Sequence, residues 1–62
     1  MSKIGEAITK RVLTVYRVSK LSGIPETTIY NYVHEKRNIH NARFEIIMKL
    51  CDVLKAEVDE IM

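Results

Sequence analysis

The stretch LSGIPETTIYNYV, residues 21–33, decides how this chain folds. An apolar segment ends at Gly23-Ile24-Pro25, and glycine ends a helix at little cost because it adopts the left-handed conformation without strain. Pro25 suits the first turn of a new helix, where its missing N–H costs nothing, so a helix is predicted to begin at Pro25 or Glu26. The stretch therefore predicts two short helices joined by a tight turn.

The helix after the turn is predicted to have two different faces. Ile29, Tyr32 and Val33 are spaced three to four residues apart and are expected to face the core. The outer arc carries residues that are mostly poor helix formers: Glu26, Thr27, Thr28, Tyr30, Asn31 and His34. Because such side chains do not build a core, we expect them to serve a contact outside the chain.

Length and composition narrow the class of protein. The 62 residues are expected to form one domain, residues 1–62, with a small core. Hydrophobic residues make up 47%, with only two glycines and one proline, which favours a compact all-α bundle. A single cysteine and the lack of a long apolar run or secretory signal indicate neither a disulfide framework nor a membrane span. We therefore expect a cytoplasmic protein.

Two capping residues mark the first two helices. Ser2 is expected to cap a helix over about residues 3–12, and Thr14 a second helix of about eight residues that ends at Gly23. The apolar stripe of the first helix is predicted to contain Ile4, Ala7, Ile8, Arg11 and Val12. That of the second helix is predicted to contain Val15, Val18, Leu21 and Ser22.

The second half of the chain is predicted to hold a loop, a fourth helix and a last helical turn. Residues 35–43 are polar and basic without periodicity and are expected to form the loop, with Asn41 capping the next helix. The inward face of the fourth helix is predicted to contain Phe44, Ile47, Met48, Cys51 and Leu54. In the last turn, the residues expected to pack are Val58, Ile61 and Met62, and those expected in water are Asp59 and Glu60.

Charge is distributed unevenly along the chain. The formal net charge of +2 permits nucleic-acid binding without demanding it. Eight of the ten Lys and Arg residues lie in the first 43 positions, whereas Glu57, Asp59 and Glu60 gather near the other end. These carboxylates at a helix start are expected to favour the helix dipole and solubility.

Two short helices joined through a glycine, the second polar on its outer face, form the layout of a helix-turn-helix. Further motifs accompany it: the L-x-G-[IV] turn, the T-T-I-Y-N run, the K-R-N loop, the L-C-D-x-L helix and the closing V-D-E-I. With them, the chain resembles the Cro/C1-type helix-turn-helix family over nearly its whole length. The resemblance implies a lambda-repressor-like bundle of four to five short helices that binds double-stranded DNA.

The resemblance also implies which residues contact DNA. The family's base-reading positions fall on Glu26, Thr27 and Asn31, with Thr28 and Tyr30 beside them. Asn31 can bond bidentately to adenine, and Glu26 can accept from cytosine N4. Phosphate contacts, which set register without reading sequence, are expected from Thr14, Tyr16, His34, Lys36, Arg37 and Arg43. Tyr16 is equally compatible with packing, and Tyr32 is expected in the core.

The chain departs from the family pattern at three places. Val15 stands where the family usually has a Gln that donates to a DNA phosphate, so that contact is absent or replaced. Ile8 and Val33 stand where the family often pairs Arg with Glu, and a hydrophobic contact is expected instead. The loop before the fourth helix is about two residues longer than usual, with Ile39-His40 as the apparent insertion.

No group of residues has the spacing of a catalytic or metal site. Cys51 has no base spaced to activate it and is expected to be a small buried hydrophobe. His34 and His40 are six residues apart, and one distant cysteine leaves the ligand set too short for zinc. We therefore expect no enzyme activity, no metal and no cofactor, and no small-molecule ligand is evident from the sequence.

The favoured function is a DNA-binding transcriptional regulator, which the resemblance makes a repressor of phage or mobile-element type. Such domains typically bind as two-fold dimers. The spare apolar surface for a homodimer is expected at Val58, Ile61 and Met62, with Ile39 as a further candidate. One alternative is a protein-interaction module such as an antitoxin or accessory factor, and a less favoured one is an accessory domain of an enzyme. A DNA reader loses affinity steeply with salt, whereas a protein binder does so less.

Overall fold

The computed structural model describes residues 2–62, which form five α-helices and one short 3-10 turn. The bounds are α1 Lys3–Lys10, α2 Val15–Ser22, α3 Glu26–Val33, the 3-10 turn Ile39–Asn41, α4 Phe44–Leu54 and α5 Val58–Ile61. Since residues 2–62 contain no strand, the predicted all-α fold class is confirmed. None of the helices in this part of the chain has the length and apolar character needed to cross a membrane.

The two capping residues predicted for the first two helices cap them in the structure. The Ser2 hydroxyl oxygen accepts a hydrogen bond from the Gly5 N–H at 3.1 Å, and the Thr14 hydroxyl oxygen accepts one from the Arg17 N–H at 3.1 Å. Each bond satisfies an N–H that has no partner inside the helix. Ser2 also donates to the Val33 carbonyl at 2.7 Å, which ties the start of α1 to the end of α3.

The first helix is shorter than predicted. It ends at Lys10, Arg11 is its C-cap, and Val12 lies in the left-handed region with φ of 56°. Val12 is 91% exposed, so its predicted place in the apolar stripe is wrong. The Arg11 side chain donates instead to the carbonyls of Ala7 and Leu54 and to the Glu60 carboxylate.

Glu60 is predicted to be a solvent-exposed carboxylate, and this prediction is wrong. It is one partner of a half-buried ion pair. Its oxygens lie 2.8 and 3.0 Å from the two terminal nitrogens of Arg11. This hydrogen-bonded contact with Arg11 holds the pKa of Glu60 below its usual range and raises the pKa of Arg11. The pair fastens the short α5 to α1 across 49 residues of chain.

The buried face of α4 differs in part from the predicted one. The buried residues of this helix are Ile47, Leu50, Cys51 and Leu54. Phe44 is 75% exposed and Met48 is 44% exposed, so both predictions of burial are wrong. A stripe through residues 44, 47, 48 and 51 and one through 47, 50, 51 and 54 have the same helical spacing, and the fold uses the second. Leu21 of α2, also predicted to face inward, is exposed.

The segment between α3 and α4 is more ordered than a loop. The Asn38 carboxamide oxygen accepts from the His40 N–H at 2.9 Å and starts the 3-10 turn. Asn41 lies inside that turn and does not cap α4, so this prediction is wrong. Arg43, in extended conformation, is the N-cap of α4, and its side chain makes no capping hydrogen bond. Its backbone carbonyl accepts the first hydrogen bond of the helix, from the Ile47 N–H at 3.1 Å.

The core lies where the five helices meet. α2 packs against α3 and α4, α1 packs against α3 and α5, and α4 packs against α5. Twelve hydrophobic residues in the described chain are buried: Ile4, Ala7, Ile8, Val18, Ile24, Ile29, Tyr32, Ile47, Leu50, Cys51, Leu54 and Ile61. The predicted burial of Tyr32 and Cys51 is confirmed. Ile61, at 1% exposure, is filled into this core and is not available as dimer surface, which corrects that part of the prediction.

Candidate nucleic-acid interface

The turn between α2 and α3 is held by serine hydroxyls on the α2 side. Gly23 has φ of 78° and caps α2 in the left-handed conformation, as predicted. The Ser19 hydroxyl donates to the Ile24 carbonyl at 2.6 Å, and the Ser22 hydroxyl oxygen accepts from the Ile24 N–H at 3.1 Å. Ile24 is buried below the turn. The angle between α2 and α3 is thus fixed by local bonds, and α3 begins at Glu26, one of the two predicted starts.

α3 separates a buried face from an accessible one. Ile29 is fully buried and Tyr32 is 7% exposed. The candidate base-reading residues are exposed at Glu26, Thr27 and Tyr30 and half-buried at Thr28 and Asn31. Within residues 2–62, none of these five side chains forms a hydrogen bond to another residue. Their donors and acceptors are therefore free for an external partner.

Tyr30 organises the end of this accessible face. Its ring lies 4.2 Å from the His34 ring, centroid to centroid, at an interplanar angle of 42°. The Lys36 ammonium lies 5.5 Å from the centre of the Tyr30 ring, within the range of a cation–π contact. The structure thus gathers a phenol, an imidazole and an ammonium group where α3 ends.

Two candidate phosphate contacts follow α3 in a tightly bonded segment. The Asn31 backbone carbonyl accepts hydrogen bonds from the backbone N–H of Lys36 at 2.8 Å and from that of Arg37 at 3.2 Å. The exposed side chains of Lys36 and Arg37 are consequently held next to the carboxyl end of α3. Arg43 is exposed as well, but it stands apart from them, beyond the 3-10 turn at the start of α4.

The remaining phosphate candidates, Thr14 and Tyr16, lie at the start of α2. The Thr14 oxygen serves as the helix cap, which leaves its hydroxyl proton free to donate. Tyr16 is 57% exposed, so it does not pack into the core, and the Lys20 ammonium lies 5.3 Å from its ring centre.

Three exposed residues are absent from those predicted to contact DNA. Arg17 and Lys20 are exposed cations on α2, the helix that begins at Thr14. The four-residue spacing from Tyr16 to Lys20 is the signal that could have placed Lys20 beside that ring. Phe44, predicted to be in the core, is exposed next to Arg43.

Ion pairing distinguishes these side chains from the rest of the molecule. Three ion pairs occur in the described part of the chain: Arg11–Glu60, Glu45–Lys49 and Asp52–Lys55. All their residues lie on α4 or α5 or directly after α1 or α4. None of the charged side chains between Arg17 and Arg43 takes part in an ion pair within the described chain.

Two other groups raised by the sequence lie outside this surface. Cys51 is buried in the core, and burial raises the pKa of its thiol, so the thiolate needed for nucleophilic chemistry is disfavoured. Across residues 2–62, no three His, Cys, Asp or Glu side chains come together as metal ligands would.

Comparison with known proteins agrees with this geometry. A family model described as the Cro/C1-type HTH DNA-binding domain matches residues 3–62. No curated protein and no solved structure matches the chain. The family match runs from the first residue of α1 to the residue after α5, so it includes every element described above. The chain therefore belongs to the Cro/C1-type helix-turn-helix DNA-binding domain family.

Proposed function

We propose that this protein is a sequence-specific transcriptional regulator that inserts α3 into the major groove of double-stranded DNA. The observation that carries the proposal is the division of α3, whose core residues Ile29 and Tyr32 are buried on one side while polar side chains stand free on the other. A helix of this kind, presented by a preceding helix and a tight turn, fits the major groove. A repressor of phage or mobile-element type is the form of regulator that we favour.

Base reading is assigned to five side chains of α3. Asn31 offers a donor and an acceptor that match the edge of adenine, and Glu26 offers an acceptor for cytosine N4. Thr27 and Thr28 supply methyl groups for thymine and hydroxyls for a base edge or phosphate, and Tyr30 lies beside them. Each good base contact discriminates against the wrong base by about 1–3 kcal/mol.

Phosphate binding is assigned to side chains at the edges of the same surface. Lys36 and Arg37 follow α3 and have no ion-pair partner in the described chain, which supports this role. The other members are Thr14, Tyr16, His34 and Arg43. These contacts set the register of the protein on the duplex and make its affinity depend on salt.

A two-fold homodimer on paired half-sites is the form in which we propose that the protein acts. One module alone buries only about 600–1,000 Å² against DNA, so a single copy binds weakly. With Ile61 in the core, the apolar residues left near α5 for self-association are exposed Val58 and half-buried Met62. Sedimentation that shows a monomer both free and on a palindromic duplex would contradict the dimer.

One observation favours a second candidate function, a protein-interaction module such as an antitoxin or accessory factor. Phe44 and Met48 are four residues apart on α4 and are both exposed, so they present apolar surface to a partner. Salt discriminates between the two functions, because counterion release makes DNA binding fall steeply with ionic strength. A protein partner held through Phe44 and Met48 would be lost in Phe44→Ala and affected far less by salt.

The proposed function is tested by selecting bound duplexes from a randomised DNA library at near-physiological salt. We expect a recurrent motif, with inverted half-sites about one helical turn apart if the protein binds as a dimer. Recovery of random sequences, with binding that vanishes as salt rises, would refute sequence-specific regulation and direct attention to the protein-interaction function.

A further inference from the structure

A cleft of about 330 Å³ opens beside the candidate DNA surface. It lies between the start of α1, the end of α3, the 3-10 turn and the end of α5, so four separate segments contribute to it. Small-molecule sites occupy roughly 300–1,000 Å³, so the cleft is at the lower end of that range. Its apolar lining consists of Tyr32, Ile39, Ile61 and Met62, all buried or half-buried.

One residue that lines this cleft carries a hydroxyl without a protein partner. Tyr32 is 93% buried, yet in the described chain its phenol makes no hydrogen bond to protein. No side-chain oxygen in residues 2–62 is both sealed from solvent and without a partner, so the Tyr32 oxygen keeps some contact with solvent. Tyr32 lines this cleft, and its hydroxyl is a hydrogen-bond donor that no protein group in the described chain uses.

The rim of the cleft carries an excess of positive charge. Lys3 and Arg37 line it, with Glu35 as the only carboxylate side chain among its lining residues. The Lys3 ammonium is held by the Asp59 backbone carbonyl at 2.9 Å, so no carboxylate neutralises it there. Arg37 has no ion-pair partner in the described chain. Both cations can therefore bind an anion.

From this arrangement we infer that the cleft binds a small amphipathic carboxylate, whose anionic group pairs with Arg37 and Lys3 and whose apolar body lies on Tyr32 and Ile61. The 3-10 turn that forms one wall contains Ile39-His40, the apparent insertion relative to the family pattern.

The occupant also controls DNA binding, an extension that rests on the proposed function. Arg37 is a candidate phosphate contact, and its backbone N–H donates to the backbone carbonyl of Asn31, a candidate base-reading residue. A carboxylate that pairs with the Arg37 guanidinium withdraws that cation from DNA phosphate. The carboxylate therefore acts as an effector that weakens DNA binding.

Binding is tested without DNA by titrating the protein with 3-phenylpropionate at low chloride and following backbone amide shifts. We expect saturable shifts at residues of the cleft, and about tenfold weaker binding of the neutral analogue 3-phenyl-1-propanol. Shifts that do not saturate, that scatter over the surface, or that are equal for the neutral alcohol would overturn the carboxylate site.

Four variants separate the parts of the site. Arg37→Gln should weaken binding about tenfold and Glu35→Gln should strengthen it about threefold, whereas Lys49→Gln, a cation on α4 outside the cleft, should leave it unchanged. Tyr32→Phe removes only the hydroxyl, which has no protein partner, so it should fold as the parent does and bind about fivefold more weakly. Equal affinities across these variants would overturn the assignment.

The regulatory step is tested with a DNA duplex obtained by selection. At constant ionic strength, saturating 3-phenylpropionate should weaken DNA binding about fivefold, and this effect should vanish in Arg37→Gln. Unchanged DNA affinity at saturation would overturn the effector role, while the proposed DNA function would stand. Failure to select any duplex would instead refute the proposed function, and carboxylate binding measured by amide shifts is independent of that result.

Discussion

The two halves of this molecule use their charged side chains differently. Around α1 and α5, Arg11 donates to two backbone carbonyls and to the Glu60 carboxylate, and Lys3 donates to the Asp59 carbonyl. The other region consists of α2, α3 and the segment that follows, and we call it the α2–α3 half. It contains no ion pair in the described chain, although it carries Arg17, Lys36 and other charged side chains.

The difference indicates which half is built to hold itself together and which is built to bind. Exposed ion pairs contribute little to the free energy of unfolding. Leaving the charged side chains of the α2–α3 half unpaired therefore destabilises the fold little. Those charges keep their full capacity for a partner with dense negative charge, as DNA phosphate has. The α2–α3 half is stabilised instead by its buried face, which contains Val18, Ile24, Ile29 and Tyr32.

The largest expected effect comes from breaking that buried face. Ile29→Ala should destabilise the protein by about 2–5 kcal/mol, because Ile29 is fully buried and truncation leaves a cavity. A chain of this length has a total stability of roughly 3–9 kcal/mol, so much of the fold is lost. Thr27→Ala, on the exposed face of the same helix, should change stability by less than about 0.5 kcal/mol. Urea unfolding of both variants checks the contrast, and similar losses would contradict the two-faced helix.

The next effect is on the salt dependence of DNA binding. Lys36→Gln should reduce the slope of log affinity against log salt by about 1, since one phosphate contact is lost. Lys55→Gln removes an exposed cation directly after α4, outside the α2–α3 half, and should leave the slope unchanged. Titrations of one duplex at several salt concentrations give the slopes. Equal slopes for the two variants would count against a binding role confined to the α2–α3 half.

A smaller effect concerns acid and the Arg11–Glu60 pair. The pKa of Glu60 is lowered in the folded state, so the pair stabilises the protein above the unfolded carboxyl pKa, about 4.3. This contribution is lost as the pH falls through the lower, folded-state pKa. Glu60→Gln should therefore have a lower urea midpoint than the parent at pH 7, and the gap should narrow on acidification. A gap that is constant between pH 7 and pH 3 would contradict the role of the Glu60 charge.

The smallest effect is expected at Val12, a β-branched residue in the left-handed region with φ of 56°. Val12→Gly should stabilise the protein by roughly 0.5–1 kcal/mol, because glycine relieves the strain and little apolar burial is lost at 91% exposure. Thermal unfolding measures the change. A destabilised variant would mean that the Val12 side chain makes a contact that its exposure does not indicate.

Features set by neighbouring residues could be predicted from the sequence. The caps at Ser2 and Thr14, the left-handed Gly23 and the start of α3 each depend on residues within three positions, and all are found in the structure. The division of α3 into a core face and an outer face follows in the same way from the spacing of Ile29 and Tyr32.

Features set by distant residues could not be predicted. The bonds of Arg11 reach 43 and 49 positions along the chain, and no local pattern announces them. On α4, two apolar stripes have the same spacing, and only packing against α2 and α5 decides that Leu50 is buried while Phe44 is exposed. The 3-10 turn at Ile39 and the cleft beside it arise where four segments meet, which sequence spacing does not reveal.

The central claim is that the outer face of α3 reads bases while its inner face holds the core. The most direct test is a double-mutant cycle between Asn31→Ala and single base-pair changes in a selected duplex, with urea unfolding of both proteins. We expect unchanged stability and a loss of about 1–3 kcal/mol of discrimination at one base pair, with the other positions unaffected. Equal discrimination by both proteins at every position, or unfolding of Asn31→Ala, would contradict the claim.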